Sequence, residues 1–173
     1  MARIDVVAAA AGHVAPIAAR MRHADREEAW AAARLEPEAA LRLSLAASPL
    51  AWTGRVDGRP ECMFGVGAGG IPWLLGSDAV ERYATGFLRR NRPYVTRMLE
   101  TFGHLSNWVD ARNTASIRWL RWLGFTIEAP RPFGPSNLPF HPFWMTRIGD
   151  ANRSRHLRAS TTGAHAAPVV CNP

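Results

Sequence analysis

Along this chain, alternating runs give way to runs of three-to-four-residue period and back, and each change marks an element. Residues 4–8 read as a first strand, and Gly12 and His13 open a turn. Residues 14–21 form a short helix with Pro16 in its first turn, where proline is tolerated. Asp25, with Glu28 three residues on, has the spacing of a capping box and predicts a helix to about Arg34. Residues 37–47 form a further helix with Leu41 and Leu45 on one face.

Three strands follow. Residues 51–56 and 60–66 flank Asp57 and Gly58, a strong two-residue hairpin signal. After a glycine-rich break, residues 71–75 form the third. Gly76, Ser77 and Asp78 lead into a helical region that lasts to Phe102, with a break expected before Pro93. Residues 105–110 read as a strand, 113–123 as an amphipathic helix and 125–128 as a strand. Residues 130–142 carry five prolines and predict an irregular excursion, and 143–148 a last strand. Beyond Asp150 the chain is polar and basic and lacks the apolar period of a core. The order is β-α-α-β-β-β-α-β-α-β-β, and the expected division is one domain over 1–148 and an extended basic tail over 149–173.

At 173 residues the chain fits one domain. No apolar run approaches the roughly 18 residues needed to cross a bilayer, so no membrane partner is expected. The first residues read as strand and turn, not as a signal peptide, so the chain is expected in the cytosol when made. The two cysteines, Cys62 and Cys171, lack metal-spaced partners. Cys62 is expected in the core, and no metal site is expected. All 21 basic residues are arginine, and the net charge of +7 falls entirely on residues 62–173. Such a surface suits phosphate, carboxylate or acidic protein partners. A solvated face, with arginine used in place of lysine, also accounts for it.

The stretch Leu105–Asp110 followed by Asn113-Thr-Ala-Ser-Ile-Arg-Trp-Leu-Arg-Trp-Leu-Gly-Phe125 resembles the second half of the coenzyme-binding core of the GCN5-related N-acetyltransferase (GNAT) superfamily. The resemblance implies an α/β fold with a mixed, mostly antiparallel central sheet flanked by helices. It implies a glycine-rich loop after the fourth strand that holds the pyrophosphate of acetyl-CoA on backbone amides, and a tyrosine donor at the position of Leu120. Here the loop has Gly76 and Ser77, then the acid Asp78, and leucine offers no proton. Gly76, Ser77 and Asn113 are the cofactor-binding positions if the site works. Capping alone also accounts for Asn113. Among acids and bases, His104, Asp110 and Glu128 are candidates by type, and no catalytic residue is assigned.

With the later aromatic run His141-Pro-Phe-Trp-Met-Thr-Arg-Ile148, the pattern is similar to acetyltransferase-like proteins of bacteriophages, including internal virion proteins of short-tailed phages. That resemblance implies a virion-associated structural or assembly component, in the host cytoplasm before assembly, with a degenerate site and no cofactor. The alternative is an active acetyl-CoA-dependent N-acetyltransferase with a non-standard site. Arg118, Trp119, Arg121 and Trp122 on one helix are an expected contact face for virion proteins or a second copy. Arg153, Arg155 and Arg158 are the expected contacts of the tail. Nucleic acid is a weaker candidate partner, because the aromatics do not alternate regularly with the arginines.

Overall fold

The computed structural model describes residues 2–147. It runs β1 (Ile4–Ala8), α1 (Val14–Ala18), α2 (His23–Ala33), α3 (Pro37–Ala46), β2 (Leu50–Val56), β3 (Arg59–Gly67) and β4 (Ile71–Gly76). There follow α4 (Ala79–Arg82), α5 (Ala84–Phe102), β5 (His104–Asp110), α6 (Thr114–Leu123), β6 (Thr126–Ile127), β7 (Arg131–Phe133) and β8 (Leu138–Thr146). The expected elements are present, the short helix within 14–21 among them, with α4 split from α5 and β7 added. The boundary at 148/149 and the arginines Arg153, Arg155 and Arg158 lie outside the described residues.

Strands β1 to β4 form an antiparallel sheet in chain order, and β5, β8 and β6 form a second, with β7 also on β8. Asp57 and Gly58 both adopt positive φ, 49° and 80°, as the tight hairpin between β2 and β3 requires. Among the described residues no ladder joins β4 to β5. The two sheets meet where these strands begin. There Ser106 N donates to the Gly70 carbonyl at 3.0 Å, and Asn107 Nδ2 donates to the Pro72 carbonyl at 2.9 Å. Farther on, the strands part.

Both sheet faces are covered, as the period-two alternation of β3 demands. Cys62, Phe64 and Val66 point into the main core with Phe87 and Met98 of α5 and Ile117 of α6. Met63 points the other way, onto Val14, Ile17 and Leu41 of α1 and α3. Fully burying side chains of this size stabilises by roughly 1.5–3 kcal/mol each. Burial pushes the Cys62 thiol up to about 12, so it is a core residue and not a nucleophile.

Three local expectations are corrected. The helix expected to be capped by Asp25 begins at His23, with Arg22 in the extended cap position. Asp25 therefore sits in the first turn, where its carboxylate turns back on Arg22 at 2.7 Å. The break expected before Pro93 falls at Tyr83 instead, and α5 runs through the proline. Pro93 is exposed, so the Arg89 carbonyl that loses a donor can turn to water.

The proline-rich excursion is a hairpin of β7 and β8. Pro139 and Pro142 are tolerated inside β8 because each stands opposite the first residue past the end of a neighbouring strand. Asp110 pairs with Phe140 and Ile127 with Phe143, so neither missing N–H costs a ladder bond. Their carbonyls accept from Ala111 N and Glu128 N.

Candidate functional site

The parting of β4 from β5 opens a cleft of about 140 Å³ between the two faces of the molecule. On one side stand Glu28 and Ala29 of α2. On the other stand Asn91 and Met98 of α5 and Trp119 and Leu120 of α6. The lining is mostly apolar, as ligand clefts usually are.

Gly76 reveals which way the free edge of β4 faces. Its N–H donates to Asp25 Oδ2 at 2.9 Å and its carbonyl accepts from Arg22 N at 2.9 Å, so both turn away from β3. In an antiparallel ladder this direction repeats every second residue. Leu74 and Pro72 therefore face the same way, and the β3–β4 register is regular throughout. The Pro72 carbonyl is taken by Asn107. The N–H and carbonyl of Leu74 open onto the cleft.

The loop after β4 is different. Gly76 N is bound by Asp25, Ser77 N donates to the Glu61 carbonyl at 2.8 Å, and Ala79 N donates to Ser77 Oγ at 3.2 Å. Ser77 Oγ donates to the Glu61 carboxylate. Both expected loop residues, Gly76 and Ser77, are buried. Gly76 has a packing reason to be glycine: a Cβ there would lie 2.6 Å from Val80 Cγ2 and 2.7 Å from Cys62 Cβ.

Arg22, only 5% exposed, ties this corner together. It donates to Glu81 Oε1 at 2.9 Å and to Ser116 Oγ at 2.7 Å, and it pairs with Asp25 at 2.7 Å. Burial alone would push the guanidinium down. Asp25 and Glu81 more than offset that and hold it above its ordinary value.

Glu28 is the titrating group of the cleft. Its carboxyl is pushed up to about 8, first by burial and then by the charge of Asp25, with a smaller push from Asp110. Asn113 Nδ2 donates to Glu28 Oε2 at 2.8 Å and pulls the other way. Asn113 also caps α6, its Oδ1 accepting from Ser116 N at 3.3 Å. It thus fixes the helix and holds the carboxylate.

The remaining candidates fall apart from one another. Asp110 is buried, and its oxygens accept from the N–H and guanidinium of Arg112, anchoring the turn into α6. His104 is exposed at the start of β5. Glu128 accepts from Arg131 and from Trp144 Nε1. Leu120, at the position where the resemblance implies a tyrosine, is half-buried and forms part of the cleft wall.

Trp119, expected on the outer face, turns inward. Ser116, Trp119, Leu120 and Leu123 share the cleft-facing side at helical spacing. Arg118 and Arg121 are exposed. Trp122 is 45% exposed, with the Arg92 guanidinium 5.2 Å from its ring centroid. Among the described residues no cluster of His, Cys, Asp and Glu suits a metal ion, and no helix is long and apolar enough to cross a membrane.

This topology is the GNAT acyltransferase fold: a largely antiparallel sheet flanked by helices, as in solved acetyltransferases. One is yncA, a putative acetyltransferase from Salmonella typhimurium with its cofactor acetyl-CoA. It matches with a TM-score of 0.60 and 16% identity over 83% of this chain and 93% of that one. The aminoglycoside acetyltransferase AAC(6')-Ib, in complex with coenzyme A, matches at 0.59 and 16% over 88% and 99%. The ribosomal-protein-S18-alanine N-acetyltransferase of Escherichia coli matches at 0.58 and 13% over 83% and 94%. No protein-family model and no curated protein sequence matches the chain. At these identities the likeness establishes the fold.

Proposed function

We propose that the chain is an acyltransferase that uses a coenzyme A thioester, with the cleft between β4 and β5 as its site. The observation that carries this reading is Glu28, a cleft carboxyl held near 8 and oriented by Asn113. A base is most effective when its pKa lies near the working pH.

The cleft fits the amide arm of such a donor, because Leu74 offers one N–H and one carbonyl at an open strand edge. The loop after β4 does not offer the usual pyrophosphate cradle, since Asp25, Glu61 and Ser77 already bind its amides. The donor, when bound, supplies a thioester carbonyl open to attack by an amine. Glu28 then takes the proton of the attacking amine, and Asn113 keeps Oε2 in place. Leu120 supplies no proton, so the departing sulfur takes its proton from solvent.

The test is release of free thiol from acetyl-CoA in the presence of a panel of amines and N-terminal peptides. Turnover that is lost in Glu28→Gln supports the reading. Equal rates in both proteins refute it.

A second reading is favoured by the internally filled loop. The fold then serves as a virion-associated assembly component of a bacteriophage, with its catalysis lost. Arg118, Arg121 and Trp122 contact other virion proteins or a second copy, and so do the tail residues Arg153, Arg155 and Arg158. Mass spectrometry of purified particles tests it. Deleting residues 149–173 is expected to lower incorporation while leaving the domain's melting temperature unchanged.

A further inference from the structure

We infer that the α5 side of the cleft is a pocket for a hydroxyl-bearing acyl group, whose O–H donates to Asn91 Oδ1. This inference rests on the acyltransferase reading for the word acyl, and on the cavity alone for the hydroxyl.

Asn91 is 4% exposed, and its Oδ1 has no hydrogen-bond partner among the described residues. It lines the cleft together with Val95 and Met98, one and two turns along the same face of α5. Phe64, Val109 and Leu123 belong to the same lining. A buried acceptor left unpaired costs folding free energy, and native structures seldom retain one without a use.

Water is a poor occupant. An ordered water needs two to four polar partners; Asn107 is engaged, and the open N–H and carbonyl of Leu74 are the groups assigned above to the donor's amide arm. Asn107 Nδ2 donates to the Pro72 carbonyl and its Oδ1 accepts from Trp108 N.

The size of the space narrows the ligand. At about 140 Å³ it is close to the roughly 150 Å³ of a dry cavity that accepts benzene. That volume is the whole cleft, shared with the end of the donor's amide arm, so the acyl chain it admits is short. The donor is a neutral hydroxyl and not an ammonium, because an ionised group buried on this apolar side would lack a counter-charge. A short hydroxyacyl chain meets both requirements. Its carbons contact Val95, Met98 and Leu123, and its hydroxyl reaches Asn91.

The experiment has two arms, each comparing the native chain with Asn91→Leu, which replaces the amide by an apolar group of similar shape. The first measures phenol and toluene affinities by calorimetry. The phenol-to-toluene ratio is expected to fall at least tenfold in the variant. An unchanged ratio overturns the inference. The second compares 3-hydroxybutyryl and butyryl thioesters of coenzyme A as donors. The hydroxy preference in kcat/KM is expected to fall by the same factor.

Turnover with equal preference in both proteins overturns the pocket and leaves the acyltransferase reading standing. A phenol preference that depends on Asn91, without turnover of any thioester, supports the pocket and refutes the acyl transfer. Should Asn91→Leu fail to fold, Asn91→Ala removes the same oxygen and gives the same readings.

Discussion

Two adjoining pieces of the β4 edge behave in opposite ways. At Leu74 the edge faces a cleft, with an N–H and a carbonyl turned away from β3. Two residues later, at Gly76, the same edge is closed by Arg22 and Asp25 of the same chain. The difference teaches that the strand gap and the anion loop are separable parts of this fold. One is kept open by the parting of β5 onto β8. The other is closed by a short stretch of chain, from Met21, bridged to Ser77, to Asp25, that lies along the end of β4. A chain can keep the first and lose the second.

The largest expected effect is on the open half. Glu28→Gln keeps the size and the hydrogen bond to Asn113 but cannot take a proton. Its rate of acyl transfer should fall about 10²–10⁴-fold, and the native rate should rise with pH to a plateau above about 8. Stability should move in the opposite direction. A carboxyl raised from 4.5 to about 8 holds its proton in the folded state across that window while the unfolded chain has lost it. Stability therefore falls as pH rises from 4.5 to 8, by at most about 1.4 kcal/mol per unit from this group. Denaturant titrations of the native chain and Glu28→Gln at pH 5 and pH 8 check the sign. A gap between the two proteins that is the same at both pH values would show that Glu28 is ordinary.

The closed half should break through Arg22. Arg22→Ala leaves Asp25 buried, without its cation. Removing one partner of a buried pair typically costs about 3–5 kcal/mol, and urea unfolding measures it. A loss below about 1 kcal/mol would mean that Asp25 is neutral and that the loop is held by hydrogen bonds alone.

Leu120→Ala comes next. A fully buried leucine costs about 2–5 kcal/mol on truncation. Leu120 is half-buried against an existing cavity, so its loss should lie at or below the low end, about 2 kcal/mol. Thermal or chemical denaturation decides. A loss near 4 kcal/mol would mean that the cleft is filled by packing and is not an open site.

Much of this could be read from the sequence, because the strands and helices are set by local period. The hairpin at Asp57–Gly58, the stretch Asn113–Phe125 and the core position of Cys62 needed no tertiary information. The site was harder because its contacts are distant in sequence. Glu28 fits a capping box with Asp25 by spacing, yet its partner is Asn113, 85 residues away. Asp25 looked like a helix cap because nothing local shows that Gly76, 51 residues on, presents an unpaired N–H. One local signal does mark the open edge. A proline inside a strand marks a position whose missing N–H faces no ladder, so Pro72 pointed to the free edge of β4. The hairpin of β7 and β8 was hidden for the converse reason. Its prolines read as breakers until the ends of the neighbouring strands are known.

The smallest expected effect bears most directly on the two halves of the edge. Asp78 is exposed at the start of α4, and the sequence alone makes it the obstacle to a pyrophosphate. The structure adds a deeper one, since the amides of Gly76, Ser77 and Ala79 are already bound within the chain. Asp78→Gly removes one surface charge and frees none of those amides. A charge in the first turn of a helix is worth about 0.3–1 kcal/mol, so coenzyme A affinity should rise less than about tenfold. The sharper measure is the affinity ratio of coenzyme A to pantetheine, which lacks the pyrophosphate. With the cleft open and the loop closed, that ratio should stay within about tenfold in the native chain and in Asp78→Gly, the span of 1.4 kcal/mol. A hundredfold preference for coenzyme A in the variant would show that the loop amides can be released by ligand. The contrast between the two halves would then reduce to a single carboxylate.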